Sequence, residues 1–227
     1  MNGDIQAAIK PGARQGPKLR TNNPERTKLD ILNAARDEFA EHGLSGGRVD
    51  SIAERTQTSK RMIYYYFGGK LALYRAVLER SYSDIREAET DLKLETHDPR
   101  DAMVRLIEST FDYDDAHPNF VRLVSIENIH RAKNLAKIPN IQEISKRALE
   151  TIENIIVRGQ SLGVFRDDVP PIDIHIMISS FCFFRVSNRY TFGEIFAVDL
   201  SQQECRERHK KMLVDSIMRL LQPGASR

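Results

Sequence analysis

Apolar residues recur at helical spacing along most of the chain. Ile31, Ala35 and Phe39 stand four apart and predict a helix from Glu25 to about Gly43, where a Gly/Ser stretch, Gly43-Leu-Ser-Gly-Gly47, should end it. Two short helical patterns follow, Val49/Ile52/Ala53 and Ile63/Phe67, separated only by the polar run Arg55-Thr-Gln-Thr-Ser59. Gly68-Gly69 breaks the second, and a long helix restarts at Lys70 with Leu73, Val77 and Leu78 in register. Beyond Pro99 the periodicity predicts amphipathic helices over residues 100–116, 118–135, 139–162, 171–189 and 201–222, with Pro118, Pro139, Pro170-Pro171 and Pro223 as punctuation. One segment is ambiguous, since Ile172-Asp-Ile-His-Ile-Met-Ile178 puts isoleucine at every second position and fits a strand as well as a helix. A lone strand would find no pairing partner, so a helix is expected there.

The pattern therefore predicts an all-α protein: an N-terminal three-helix domain with a helix-turn-helix, and a larger C-terminal helical domain. The expected organisation is a flexible basic arm over residues 1–24, a helix-turn-helix domain over 25–72 and a second domain over 73–227. The arm is rich in Pro, Gly and Asn and carries Lys10, Arg14, Lys18 and Arg20 against one acid, Asp4. The chain has 227 residues, enough for a sizeable core, and a formal net charge of only +2. That near-neutrality hides an asymmetry. Residues 1–75 hold 13 Lys and Arg against 8 Asp and Glu, whereas the remainder holds 21 against 24. A basic module thus sits on an acidic body, which keeps a nucleic-acid partner open.

Several classes recede on other grounds. The first ten residues contain no apolar run suited to a signal peptide, and residues 172–186 are interrupted by charge and too short to cross a bilayer, so a cytoplasmic protein without a membrane partner is expected. Cys182 and Cys205 are too few for a disulfide framework and lack metal-ligand spacing, so they are expected to be reduced core or surface thiols. No cofactor, no metal site and no catalytic residue are expected.

The second short helix carries the chemistry. At about 100° per residue, Lys60, Tyr64, Arg61 and Tyr65 fall within an arc of about 140°, while Ile63 and Phe67 share the opposite side. Long cations and phenols on one face suit a major groove, where they reach guanine edges or phosphate oxygens; two adjacent basic residues can also be an ordinary solvated face. Concentration favours the former, since five of the seven tyrosines (64, 65, 66, 74 and 82) lie on this helix and the next. Tyr66 flanks the apolar side and can bury its ring. Ser59 is placed to cap the helix, and Lys70 follows Gly68-Gly69 at a helix N-terminus, where free N–H groups and the dipole favour an anion.

The segments Val49-Asp-Ser-Ile-Ala53, Ser59-Lys-Arg-Met-Ile-Tyr-Tyr-Tyr-Phe67 and Lys70-Leu-Ala-Leu-Tyr74 resemble the TetR/AcrR family of bacterial transcriptional regulators, over roughly 50 of the 227 residues. The resemblance implies a homodimer that places paired recognition helices on a double-stranded, palindromic DNA operator, and a small-molecule effector that releases it. It implies base-facing roles for Lys60 and Tyr65, and phosphate contacts for Tyr64, Tyr66 and Lys70. Arg48 stands where the family has a capping Thr, exchanging a cap for a cation that can meet a phosphate. Gln57 replaces the usual turn glycine, Thr58 an aliphatic residue and Arg61 a small one, so the geometry of the turn and the operator sequence are where this chain departs from the family.

By the same resemblance the middle helices enclose the effector, with Phe111, Tyr113, Phe120, Glu127, His130, Arg131, Phe181, Phe184, Arg185 and Asn188 as candidate lining; in an unrelated helical protein they would be core and surface. The last two helices are expected to form the dimer interface, with Ile174, Ile178, Phe181, Met212, Ile217 and Leu220 as candidates. Two rival classes are open to the same sequence. Gly43-Leu44-Ser45-Gly46-Gly47 matches G-x-S-x-G, the nucleophile elbow of serine hydrolases, but that motif needs a preceding strand and here follows a helix. A purely structural helical interaction protein would leave the Lys60/Arg61/Tyr64/Tyr65 face unused.

Overall fold

The computed structural model describes residues 23–224. Residues 1–22 of the expected basic arm lie outside them. Asn23 and Pro24 do not belong to an arm: Asn23 Oδ1 accepts from the amides of Glu25 and Arg26, and Pro24 opens the first helix. A proline at that position sacrifices only an amide that would lack a partner anyway. Pro99, Pro118 and Pro171 begin helices in the same way.

The described residues form ten α-helices and no strand. α1 (Pro24–Gly46), α2 (Val49–Thr56), α3 (Lys60–Phe67) and the first turns of α4 (Lys70–Asp91) build the N-terminal module. α5 (Pro99–Ala116), α6 (Pro118–Ile129), α7 (Ile141–Ser161), α8 (Pro171–Ser187), α9 (Arg189–Phe196) and α10 (Gln203–Leu221) build the rest. α4 runs straight through the expected boundary at residue 72. Its early residues Leu73, Tyr74, Val77 and Leu78 share a core with Ile31, Ala35, Phe39, Ile52 and Ile63. Leu123 of α6 and Ile138 join that same core, so the module is docked on the body by apolar contact. A second core holds Met103, Leu106, Ile107 and Phe111 of α5 against Ile152, Ile155 and Ile156 of α7, Ile174 and Ile178 of α8, and Ile217 and Leu221 of α10.

The ambiguous isoleucine segment is helical. Ile174, Ile178 and Cys182 are buried at four-residue spacing, whereas Ile172 and Ile176 are exposed on the far side of α8. This also corrects the expected dimer contacts. Ile174, Ile178 and Ile217 are fully enclosed within one chain and cannot meet a partner, and Leu220 leans on the same core. Only Phe181 and Met212 of the expected set open onto an outer groove.

Two further departures have local causes. α6 stops at Ile129, not near residue 135, because the chain reverses through Arg131 and Ala132, both with left-handed backbone (φ 56 and 55). The buried carboxylate of Glu127 accepts the amides of Asn134 (3.1 Å) and Leu135 (3.0 Å) and so shapes that reversal. α9 was not anticipated from the sequence: its eight residues bury none of their side chains, so it leaves no apolar stripe to read.

Candidate nucleic-acid interface

α2 and α3 have eight residues each and cannot persist alone; their apolar faces hold them against α1 and α4. Ile63 is fully buried, and the opposite face of α3 is open, with Tyr65 78% exposed and Lys60, Arg61 and Tyr64 also at the surface. The wheel derived from the sequence therefore holds in three dimensions. Tyr66 is partly buried as expected, packed on the module core with Lys28 over its ring and Tyr65 edge-on at 5.5 Å.

The turn between the helices keeps its geometry without a glycine. Gln57 adopts the left-handed conformation (φ 52, ψ 37), which costs a non-glycine residue about 1–2 kcal/mol. Thr58 N bonds Ala53 O, and Ser59 Oγ caps α3 by accepting Met62 N at 3.1 Å. At Arg48 no side chain caps α2, as the loss of Thr implies. Instead Glu38, buried on the apolar stripe of α1, accepts Arg48 N at 2.8 Å.

The cations of this face are held lightly. Lys60 Nζ lies 3.1 Å from Asp50 Oδ2 in an exposed pair, worth at most about 1 kcal/mol, so a phosphate or base edge can displace it. Lys70 Nζ rests on Ser45 O at 3.0 Å, on the last turn of α1. The Gly69 cap leaves the first amides of α4 without a side-chain partner. Ser45 itself lies in a helical turn after the left-handed Gly43, with a helix on both sides, so the strand that a nucleophile elbow needs is missing.

Within the body, α4 to α8 surround a cavity of about 280 Å³. Its apolar wall includes Ile85, Leu106, Phe120, Val124, Ile152 and Phe183, and its polar groups are Tyr82, Arg86, Glu89, Thr110, Asp114, His175 and Ser179. Arg86 Nη1 and Glu89 Oε2 are 2.7 Å apart. Burial lowers the pKa of Arg86, with Glu89 opposing, and raises that of Glu89, with Arg86 opposing. Asp114 is 6% exposed and accepts no hydrogen bond among the described residues. Burial, then the neighbouring Asp115, pushes its carboxyl up to about 7, against the pull of Arg86. Burial likewise lowers the pKa of His175, with Arg86 adding to the effect.

Of the candidate lining expected from the sequence, only Phe120 reaches this cavity. Tyr113 stacks on His117 (4.0 Å) beside Phe120, lining a smaller recess of about 160 Å³ at the α1/α5/α6 corner. Phe111 is core, with the Arg185 guanidinium 4.2 Å above its ring. Arg185 clasps Asp115, His209 and Leu200 O from within the fold. Glu127 is buried in the module joint, accepting Tyr74 Oη and Asn134 Nδ2 at 3.0 Å each in addition to the two amides. His130 borders a separate cleft at that joint, and Arg131 is exposed beside it. Phe181 and Phe184 line a groove between α8 and α10, and Asn188 links α8 to α9.

The missed lining residues left a signal. Thr110 and Asp114 continue the Met103/Leu106/Ile107 stripe of α5, and His175 and Ser179 flank the stripe of α8; polar groups on an apolar face are where a cavity is expected. Among the described residues no acidic, His or Cys cluster could hold a metal, and no helix is long and apolar enough to cross a membrane.

A docked helix-turn-helix with an open cationic and phenolic face, on a helical body with an internal polar cavity, defines a DNA-binding regulator of transcription. Residues 31–77 match the bacterial regulatory proteins of the tetR family, and residues 99–217 match the tetracyclin repressor-like C-terminal domain. The chain belongs to the TetR family, whose members are transcription regulators rather than enzymes. It is 37% identical over 188 residues to the HTH-type transcriptional repressor NicS of Pseudomonas putida, covering 83% of this chain and 89% of that protein. It is 31% identical over 160 residues to the repressor SCO4008 of Streptomyces coelicolor, covering 70% and 78%. The crystal structure of the putative regulator SCO4942 from Streptomyces coelicolor superposes with a TM-score of 0.62 at 26% identity, covering 87% of this chain and 99% of that one.

Proposed function

We propose that the protein is a transcriptional repressor that binds its operator as a homodimer and leaves it when a small molecule occupies the body cavity. The observation that carries this reading is the α3 face: Ile63 anchors the helix while Lys60, Arg61, Tyr64 and Tyr65 stand at the surface, where they can enter a major groove. Ser59 and Arg48, at the N-cap positions of α3 and α2, and Lys70, at the start of α4, surround that face with phosphate donors. The names of NicS and SCO4008 support repression.

The dimer would form through the groove between α8 and α10, where Met177, Phe181, Phe184 and Met212 leave an apolar surface in one chain. A two-fold dimer reads a palindrome, with recognition helices about 34 Å apart. The working division is then residues 25–72 for DNA and 73–227 for effector and partner, with α4 as the shared strut. Ligand in the cavity touches α4 directly through Tyr82, Arg86 and Glu89, so a state preferred by the ligand re-aims the module that α4 carries. The cavity walls suit a compact aromatic compound with a polar head.

A cavity-filling Thr110→Phe variant tests the switch. It should bind promoter DNA from its own gene as the wild type does, yet no longer be released by compounds that release the wild type. Release unchanged in that variant would remove the cavity from the mechanism.

A further inference from the structure

A second cleft, of about 450 Å³, lies where the N-terminal module meets the body. One wall is the end of α1 (His42, Gly43, Leu44, Ser45) and the start of α4 (Leu71, Tyr74, Arg75); the other is the α6–α7 connection (His130, Lys133, Asn134, Lys137). No Asp or Glu lines it. Arg75, Lys133 and Lys137 make no side-chain hydrogen bond or ion pair among the described residues, and Arg75 Nε is buried without an acceptor. Two charges close by do not cancel them. Glu127 beneath the floor keeps its charge but makes no ion pair with them, its oxygens being occupied by Tyr74, Asn134 and Leu135, and the carbonyl end of α1 is already met by Lys70 on Ser45 O.

Three cations without an acidic partner border one recess, two of them exposed lysines, and the orphaned guanidinium nitrogen of Arg75 lacks the partner that buried donors ordinarily have. A multivalent oxyanion would partner all three and supply the missing acceptor. Phosphate fits best, because guanidinium and ammonium donors converging from two walls match its several oxygens.

We propose that this joint cleft is a phosphate-binding site, in which Arg75 from the DNA-binding module and Lys133 and Lys137 from the body grip one phosphate group and restrain the angle between the two units. The phosphate belongs either to a free phosphorylated compound or to the operator backbone; the second source rests on the DNA-binding reading above, the first does not. If the anion is free, its binding and operator binding alter each other by the same factor.

The test uses the full-length chain and the variants Lys133→Gln/Lys137→Gln and Arg75→Gln, with melting curves confirming that each folds. Sodium pyrophosphate is the probe, with sodium chloride at matched ionic strength as the control. A free-ligand site predicts a saturable rise in the wild-type melting midpoint with pyrophosphate beyond that with chloride, and about tenfold weaker binding, or more, in the lysine double variant. A backbone contact predicts no such rise without DNA. The logarithmic salt dependence of DNA affinity should then fall by about 0.9 for each phosphate contact that the variants lose. Unaltered pyrophosphate response together with an unaltered salt slope in both variants overturns the proposal. Failure of the DNA-binding reading looks different: wild-type protein would show no promoter preference, whatever pyrophosphate does.

Discussion

Glu127 is the sharpest test of how the DNA-binding module is fixed to the body. Its carboxylate accepts four hydrogen bonds: Oε1 from Tyr74 Oη and Asn134 Nδ2, and Oε2 from the amides of Asn134 and Leu135. Burial alone would raise its pKa, but these donors outweigh that and hold it below the usual carboxylate range. The same contacts push the Tyr74 phenol up, after burial itself. In Glu127→Gln the one remaining oxygen must serve the two backbone amides, so the new NH₂ faces Asn134 Nδ2 and Tyr74. Tyr74 Oη can turn to accept from that NH₂, but Asn134 Nδ2 loses its acceptor and the two backbone amides lose charge assistance. A hydrogen bond to a charged group contributes about 1.5–3 kcal/mol against about 1 for a neutral one, so the substitution should cost about 2–4 kcal/mol. For a chain of this size that is a fall of roughly 5–15 °C in the melting midpoint. Urea and thermal unfolding of Glu127→Gln, Tyr74→Phe and the double variant measure it. Because the two side chains touch, the double variant should be less destabilised than the sum of the singles, by about 1 kcal/mol or more. A loss under about 0.5 kcal/mol in Glu127→Gln, or strict additivity, would refute the strut.

Further predictions follow from individual side chains. The Asp114 carboxyl rises from 3.8 to about 7 on folding, so the folded state binds the extra proton and stability falls as pH rises between those values. Asp114→Asn should therefore melt like wild type near pH 4 and higher than wild type near pH 8, by an amount of order 2–4 kcal/mol at most; equal midpoints at pH 8 would contradict the burial argument. A methyl at Gly159 would stand 2.0 Å from Phe165 Cδ2, so Gly159→Ala should destabilise by about 1–3 kcal/mol in urea melts despite its better helix propensity. Gln57→Gly removes left-handed strain and should leave stability unchanged or raise it by up to about 1 kcal/mol, whereas Gln57→Val should lower it; the reverse order in urea melts would mean that the turn is not strained.

Much of this architecture is legible in the chain because prolines and apolar spacing act locally. Pro99, Pro118 and Pro171 each open a helix, and Ile31/Ala35/Phe39 and Ile63 are buried where their spacing puts them. The α3 face was legible for the same reason: eight residues on one cylinder separate core from surface by angle alone. The cavity was not. Its polar groups come from helices far apart in sequence, so aromatic content in the middle helices pointed to Phe111 and Arg185, which are core and clasp. A polar group on an apolar stripe, as at Asp114 and His175, is the better guide, since a buried polar group needs a reason. The pattern extends α6 to residue 135 because apolar spacing continues, whereas the buried carboxylate of Glu127, seven and eight residues back along the chain, accepts the amides of Asn134 and Leu135 and sets the turn.

The central claim is that α3 reads DNA sequence. Fluorescence anisotropy titration of a labelled duplex from the gene's own promoter, against a random duplex at the same salt, tests it most directly, with Tyr65→Ala as the probe because its side chain contributes to the surface and not to the core. Selective wild-type binding, with Tyr65→Ala weakening the promoter complex by roughly tenfold or more and the random complex far less, is the result predicted. Equal affinity of the wild type for both duplexes, or a Tyr65→Ala variant indistinguishable from it, would contradict the account.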